Sequence, residues 1–189
     1  MSVPKTISEH ATKCIVHPQL GLDTQCYSYL IDGMSGVSKP NDNLAPQRIA
    51  LLRLYLYLPG TLWITKTVAE ECARIRSTTR AQLHQSFSQT IFGELPLRNP
   101  AAIRERELEL VAIHKGENDC RILGEAEDVG HTVLLTFDTK FIRDLASRTT
   151  IRLIQPESYW VSLAIPSGAK PNNLPAVENP LSHQTWWRW

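Results

Sequence analysis

The sequence predicts an α/β domain in which a parallel sheet is covered by helices on both faces. Two observations predict it. Short apolar runs of strand character lie at 26–31, 62–64, 133–135 and 151–154, and stretches of helical apolar spacing separate them; strands that alternate with helices imply parallel pairing with helical crossovers. Acidic residues also stand where these strands end or where the following helices begin, which is where open parallel sheets bind their ligands.

The elements follow in order. Residues 1–22 carry no clear period and read as an extended leader. The run Cys26-Tyr27-Ser28-Tyr29-Leu30-Ile31 is aromatic and β-branched, suits a buried strand, and stops at Asp32-Gly33, a turn signal. A Gly-, Ser-, Pro- and Asn-rich loop leads to Pro46. From there Ile49, Leu51, Leu52, Leu54, Tyr55 and Leu58 recur at helical spacing until Pro59-Gly60. Leu62-Trp63-Ile64 reads as a strand. Thr67 then has the place of a helix N-cap, with Glu70 completing a capping box. A long polar stretch follows, then helices over about 101–115 and from Asn118 to Gly130, the latter glycine suiting a helix end. Val133-Leu134-Leu135 is a strand, Phe141, Ile142 and Leu145 mark a short helix, and 151–154 is a last strand closed by Pro156. Beyond Trp160, Pro166, Pro171, Pro175 and Pro180 interrupt every regular element. Residues 161–189 are therefore expected to be an extended tail on the 23–160 domain, dispensable for the fold after about Pro166. The closing Trp186-Trp187-Arg188-Trp189 suits docking into an apolar groove, on this chain or a neighbour, and docking in a homodimer is the expectation.

Bulk properties narrow the class. The 189 residues suit one domain with appendages, and a 42% hydrophobic fraction is ordinary for a packed one. A net charge of +1 points neither toward nor away from a polyanionic partner. No apolar run is long enough to span a bilayer and residues 1–7 lack a signal-peptide core, so a cytoplasmic protein is expected. His10, Cys14, His17 and Cys26 are zinc-ligand types, but their spacing matches no common zinc motif and loose packing is the preferred reading. There is no Gly-rich phosphate loop and no supported Ser-His-Asp or Cys-His arrangement.

Four acids carry the chemistry. Asp32 follows the expected first strand, Glu71 lies in the first turns after the second, Asp119 opens a helix, and Asp138 follows the third strand. In a βαβ arrangement these points converge on one crevice, where mutual repulsion calls for a hard divalent cation such as Mg²⁺ or Mn²⁺. Each acid also has an ordinary alternative: a turn residue for Asp32, a cap or first-turn acid for Asp119, a helix cap for Asp138 and a solvated helical acid for Glu71. Glu70 competes for the place of Glu71.

Taken together, the acids and their contexts resemble the PIN domain family, named for the PilT N-terminus. Three stretches carry the resemblance: Tyr29-Leu30-Ile31-Asp32, Val68-Ala69-Glu70-Glu71-Cys72, and the segment from Glu117-Asn118-Asp119 to Leu134-Leu135-Thr136-Phe137-Asp138-Thr139-Lys140-Phe141. It covers about residues 24–160. It implies a three-layer fold with a four- to five-stranded parallel sheet, Mg²⁺ or Mn²⁺ held by Asp32, Glu71, Asp119 and Asp138, and ribonuclease activity. Many members are toxins of bacterial toxin–antitoxin pairs, similar to virulence-associated protein C, which implies an RNA substrate and an antitoxin partner. The sequence departs from the family in the long polar loop after Asp32, in the length of 76–112 and in the Pro-rich tail.

Other residues are weighed beside these. The Thr136 hydroxyl is placed to hydrogen-bond a metal ligand or a bound phosphate, or simply backbone at the strand end. Arg74, Arg76 and Arg80, in the one locally basic stretch, are candidates for gripping substrate phosphates, with solvated helix faces as the alternative. His84, His114 and His131 are isolated and read as surface or core histidines. The reading is a metal-dependent endoribonuclease. The alternative is a PIN-fold RNA-binding or regulatory module with weak or no catalysis, and a third is a nuclease of structured DNA.

Overall fold

The structure is a computed structural model that describes residues 19–36, 39–75, 77, 81–82, 84–86 and 92–189. Five short strands pair in parallel: β1 (Leu20–Leu22), β2 (Leu62–Ile64), β3 (Phe92–Glu94), β4 (Val133–Leu135) and β5 (Arg152–Ile154), in the order β3-β2-β1-β4-β5. The central strands β1 and β4 are buried at every position, which explains why β4 is a continuous apolar run rather than an alternating one. Helices flank the sheet: α1 (Thr24–Ser35), α2 (Ala45–Tyr57), α3 (Lys66–Ala73), α4 (Pro100–Val111), α5 (Glu117–Val129), α6 (Thr139–Leu145) and α7 (Pro156–Ser162). This is the three-layer α/β architecture with a parallel sheet that the sequence predicts. No helix among the described residues is long and apolar enough to cross a membrane.

The strand order fixes where a ligand can sit. From β1 the chain runs outward through β2 to β3, then returns to the other side of β1 for β4 and β5. The direction of winding therefore reverses between β1 and β4, and such a reversal opens a crevice at the carboxyl edge of the sheet. The register brings Leu22 beside Ile64 and Leu135, so Asp23, Thr65 and Thr136 come next, side by side along that edge. The Asp23 N–H donates to Leu135 O at 3.0 Å and continues the ladder by one bond.

The beginning of the chain corrects the sequence reading. Residues 26–31 are not a strand but the middle of α1, and the central strand is Leu20–Leu22, inside the stretch read as a leader. Cys26, Tyr27, Leu30, Ile31 and Met34 are buried, a spacing of three and four residues that lines one helix face. That periodicity outweighs the β-propensity of the individual side chains. Residues 1–18, with His10, Cys14 and His17 of the zinc alternative, lie outside the described residues, and Cys26 is sealed in the core.

A second correction concerns α3. Its N-cap is Thr65, not Thr67, and Glu70 closes no capping box; it stands 3.7 Å from Lys66 on the solvated face. The Thr67 N–H and hydroxyl instead donate to the Glu125 carboxylate of α5, at 2.9 and 2.8 Å. Glu125 is fully buried, so α5 supplies from a distance the acceptor that a local cap would have provided. α5 ends as expected on Gly130, whose φ of 85° lies in the left-handed region.

The third correction is residues 163–189. Prolines do keep this segment irregular apart from a 3-10 turn at Pro180–His183, yet it returns to the domain rather than trailing away. Leu181 and Trp187 are each 1% exposed and belong to the core, and the Trp187 indole N–H donates to Leu181 O at 3.0 Å. The segment crosses the end of α2, whose last carbonyls have no helical partner. Asn173 satisfies two of them, its N–H donating to Leu56 O at 2.8 Å and its amide to Tyr55 O at 2.9 Å, while the Asn172 amide reaches Tyr57 O. Arg53 of α2 donates to the carbonyls of Trp187 and Arg188, both at 2.9 Å, and stacks 4.8 Å over the Trp189 ring. Of the closing tryptophans, Trp187 is buried in the core of its own chain, whereas Trp189 stays 41% exposed.

Candidate metal centre

Four carboxylates meet at the carboxyl edge of the sheet, each delivered by a different element. Asp23 follows β1 and caps α1, accepting the Cys26 N–H at 2.6 Å. Glu71 comes from α3, just after β2. Asp119 stands in the first turn of α5, and Asp138 follows β4 and caps α6, accepting the N–H groups of Lys140 and Phe141 at 2.7 and 3.0 Å. All four line one cavity of about 530 Å³, with Thr24, Gln25, Ser28 and Tyr29 as the rest of its wall. No Lys or Arg is among those lining residues.

Hydrogen bonds tie the four elements to one another. Glu71 accepts from the Thr24 hydroxyl at the start of α1 and from the Asn118 amide at the start of α5. The Thr136 hydroxyl accepts the Asp138 N–H at 3.0 Å and also hydrogen-bonds Asp23. Thr136 is fully buried, so it presents nothing to a substrate and instead holds two of the acids in place.

The electrostatics are those of a crowded acidic site. Burial raises the Asp23 carboxyl to about 6, against the lowering effect of its hydrogen bonds to Thr136 and Cys26, and the charge of Asp119 adds to the rise. Asp119 is also raised, first by burial and then by repulsion from Asp138 and Glu71, although His114 opposes this. Burial and neighbouring negative charge at Asp23 and Asp119 are what a divalent ion would relieve.

Of the acids singled out from the sequence, Glu71, Asp119 and Asp138 come together and Asp32 does not. Asp32 lies on α1 nine residues beyond Asp23, roughly 13 Å further along the helix axis. Its carboxylate faces the His84 imidazole at 3.7 Å. The fourth place belongs to Asp23, which obeys the same rule of an acid after a strand once β1 is located correctly. Glu70, the rival of Glu71, lines no part of the cavity. Arg74 is exposed at the end of α3, and Arg76 and Arg80 lie outside the described residues.

His114, read from the sequence as an isolated surface or core histidine, is a buried one with two carboxylate partners. It is 3% exposed at the side chain, with Nε2 3.1 Å from Asp119 Oδ2 and Nδ1 3.1 Å from Asp144 Oδ2. Burial works against the charged imidazole, but the hydrogen bonds to Asp144 and Asp119 outweigh it and its pKa is raised. Ligand atoms of His114, Asp119 and Asp138 lie within 4.8 Å of one another, a spacing compatible with one ion. The oxygen-rich donor set and its open, polar cavity fit Mg²⁺ or Mn²⁺ better than a softer metal.

No protein-family model and no curated protein matches this sequence. Among solved structures the chain is similar to a chain of the VapBC2 crystal structure from Rickettsia felis, bound to a DNA fragment from their promoter. The identity is 17%, the match covers 71% of this chain and 96% of that one, and the TM-score is 0.47. A likeness of that size carries no weight for function.

Proposed function

We propose that this chain is a divalent-metal-dependent endoribonuclease whose metal ligands are Asp23, Glu71, Asp119 and Asp138. One observation carries the reading: four carboxylates from four separate elements line a single cavity at the point where the sheet reverses its winding. A bound Mg²⁺ or Mn²⁺ supplies a more acidic water and neutralises charge on a phosphodiester. The chain's own residues do the rest. Asp23 and Asp138 are fixed by helix-capping hydrogen bonds and by Thr136, so their positions do not depend on an ion being bound. Glu71 is held from two sides by Thr24 and Asn118. Gln25, Ser28 and Tyr29 form the wall against which a nucleotide would lie. The PIN resemblance in the sequence supports RNA as the substrate and a toxin role with a protein antitoxin as partner, in the cytoplasm.

The test is cleavage of a mixed RNA pool. The parent protein is expected to cleave with Mn²⁺ and to stop with EDTA, and Asp138→Asn is expected to be inactive while folded. A parent protein that binds RNA without cutting it under Mn²⁺ would instead be the binding module. A companion measurement addresses the basic stretch. If Arg74, Arg76 and Arg80 neutralise phosphates, replacing all three weakens RNA binding and flattens its dependence on log salt by roughly 0.7 for each phosphate left without its cation. An unchanged slope assigns these arginines to a solvated face.

A further inference from the structure

We propose that His114, braced by Asp144, is the positioning residue that orients the Asp119 carboxylate toward the metal; the inference rests on the metal-centre reading above. His114 is held at its backbone as well as at its ring. Its backbone N–H donates to Leu110 O at 2.9 Å, its carbonyl accepts the Cys120 thiol at 3.4 Å, and its ring lies 5.6 Å from that of Phe141. Nε2 meets Asp119 and Nδ1 meets Asp144, each at 3.1 Å. The far oxygen of Asp144 is in turn held by Arg143 Nε at 3.1 Å.

These hydrogen bonds join two elements that deliver ligands. Asp144 rides on α6, the helix that Asp138 caps, and Asp119 rides on α5. His114 therefore fixes the position of one ligand-bearing helix relative to the other. It also engages Asp119 Oδ2, so Oδ1 would be the less encumbered oxygen toward an ion. Both ring nitrogens already face carboxylates, so a direct ligand role for His114 would cost one of these bonds.

Gly116 gives an independent indication that the pairing is built in. A Cβ at this position would overlap Asp119 Oδ2 and lie 2.7 Å from His114 Nε2. Its φ of −78° suits any residue, so only the close approach of the two side chains requires glycine here.

The experiment measures Mn²⁺ affinity by electron paramagnetic resonance on the full chain, alongside steady-state RNA cleavage. Outer partners of metal ligands typically contribute 10- to 100-fold in affinity or activity. His114→Ala is expected to weaken Mn²⁺ binding about 10-fold. At saturating Mn²⁺ it should lower kcat with little change in KM. His114→Gln, whose amide N–H can replace Nε2–H, should recover most of the loss. Asp144→Asn and Gly116→Ala should shift affinity in the same direction as His114→Ala. Parent-like Mn²⁺ affinity in a folded His114→Ala overturns the proposal, as does a folded His114→Gln no better than alanine. Hyperfine coupling to a directly bound imidazole nitrogen in the parent would make His114 a ligand and overturn it too. A parent protein that takes up no Mn²⁺ overturns the metal-centre reading itself, and is told apart from these outcomes because no variant need be compared.

Discussion

Replacing Asp23 by Asn is expected to make the metal-free protein more stable at neutral pH and to abolish the stabilisation that Mn²⁺ gives the parent. Burial raises the carboxyl from its ordinary 3.8 to about 6. Between these two values the folded state holds a proton that the unfolded state has released. Stability linked to Asp23 is therefore greatest at low pH, falls as pH rises through this window, and levels off above about 6. A shift of this size corresponds to roughly 3 kcal/mol. Asparagine removes the charge but keeps an oxygen for the Cys26 N–H, and it is as good an N-cap as aspartate. Its metal-free melting temperature should therefore exceed the parent's at neutral pH, with the gap closing as the pH drops. The parent should regain the lost stability with Mn²⁺, by about 2.7 kcal/mol at a hundred times Kd. Its Mn²⁺ affinity should weaken below about pH 6, where the proton competes for Asp23. Thermal melts of both proteins across pH, with and without Mn²⁺, decide the matter. An Asn variant that melts below the parent when metal-free and still responds to Mn²⁺ would remove Asp23 from the site.

Asp23 also marks how far the sequence could be read. Three strands (β2, β4 and β5), the helices from α2 to α6 and three of the four acids are legible because long apolar periods and strand-ending acids are local signals, whereas β3 and α7, short elements in polar or Pro-led stretches, are not. Leu20-Gly21-Leu22 is not: three residues, one of them glycine, show neither alternation nor a run. Once those residues passed for a leader, the first strand moved to 26–31 and its acid moved with it to Asp32. The correcting signal was present in the spacing of Tyr27, Leu30, Ile31 and Met34, which is helical. It was outweighed by aromatic and β-branched composition, a property of side chains that burial in a helix satisfies equally well. Glu125 and His114 were out of reach for a different reason. Each acts on a partner that only the fold brings near, Thr67 in one case and Asp144 in the other, and no spacing along the chain records those pairings.

Deleting residues 166–189 is expected to cost the domain most of its stability, against the sequence-based expectation that this segment is dispensable. The prolines were a true sign of irregular backbone, but irregular backbone is not the same as a free one. Trp187 is 1% exposed among core side chains, and removing a buried tryptophan side chain typically costs about 3–5 kcal/mol. Leu181 adds a further buried side chain. The asparagines that cap α2 and the Arg53 bonds to the carbonyls of residues 187 and 188 go as well. Whole domains have only about 5–15 kcal/mol in hand, so the truncated chain should unfold at or little above room temperature. Trp187→Ala in the full chain is the gentler version and should lower the melting temperature by roughly 10 °C. Trp189→Ala removes a ring that is 41% exposed and should cost much less. The cavity acids lie on other elements, so Mn²⁺ should still raise the melting temperature of folded Trp187→Ala. A truncated chain that melts like the parent would return the segment to the role of an appendage, and equal losses for Trp187→Ala and Trp189→Ala would refute the buried anchor.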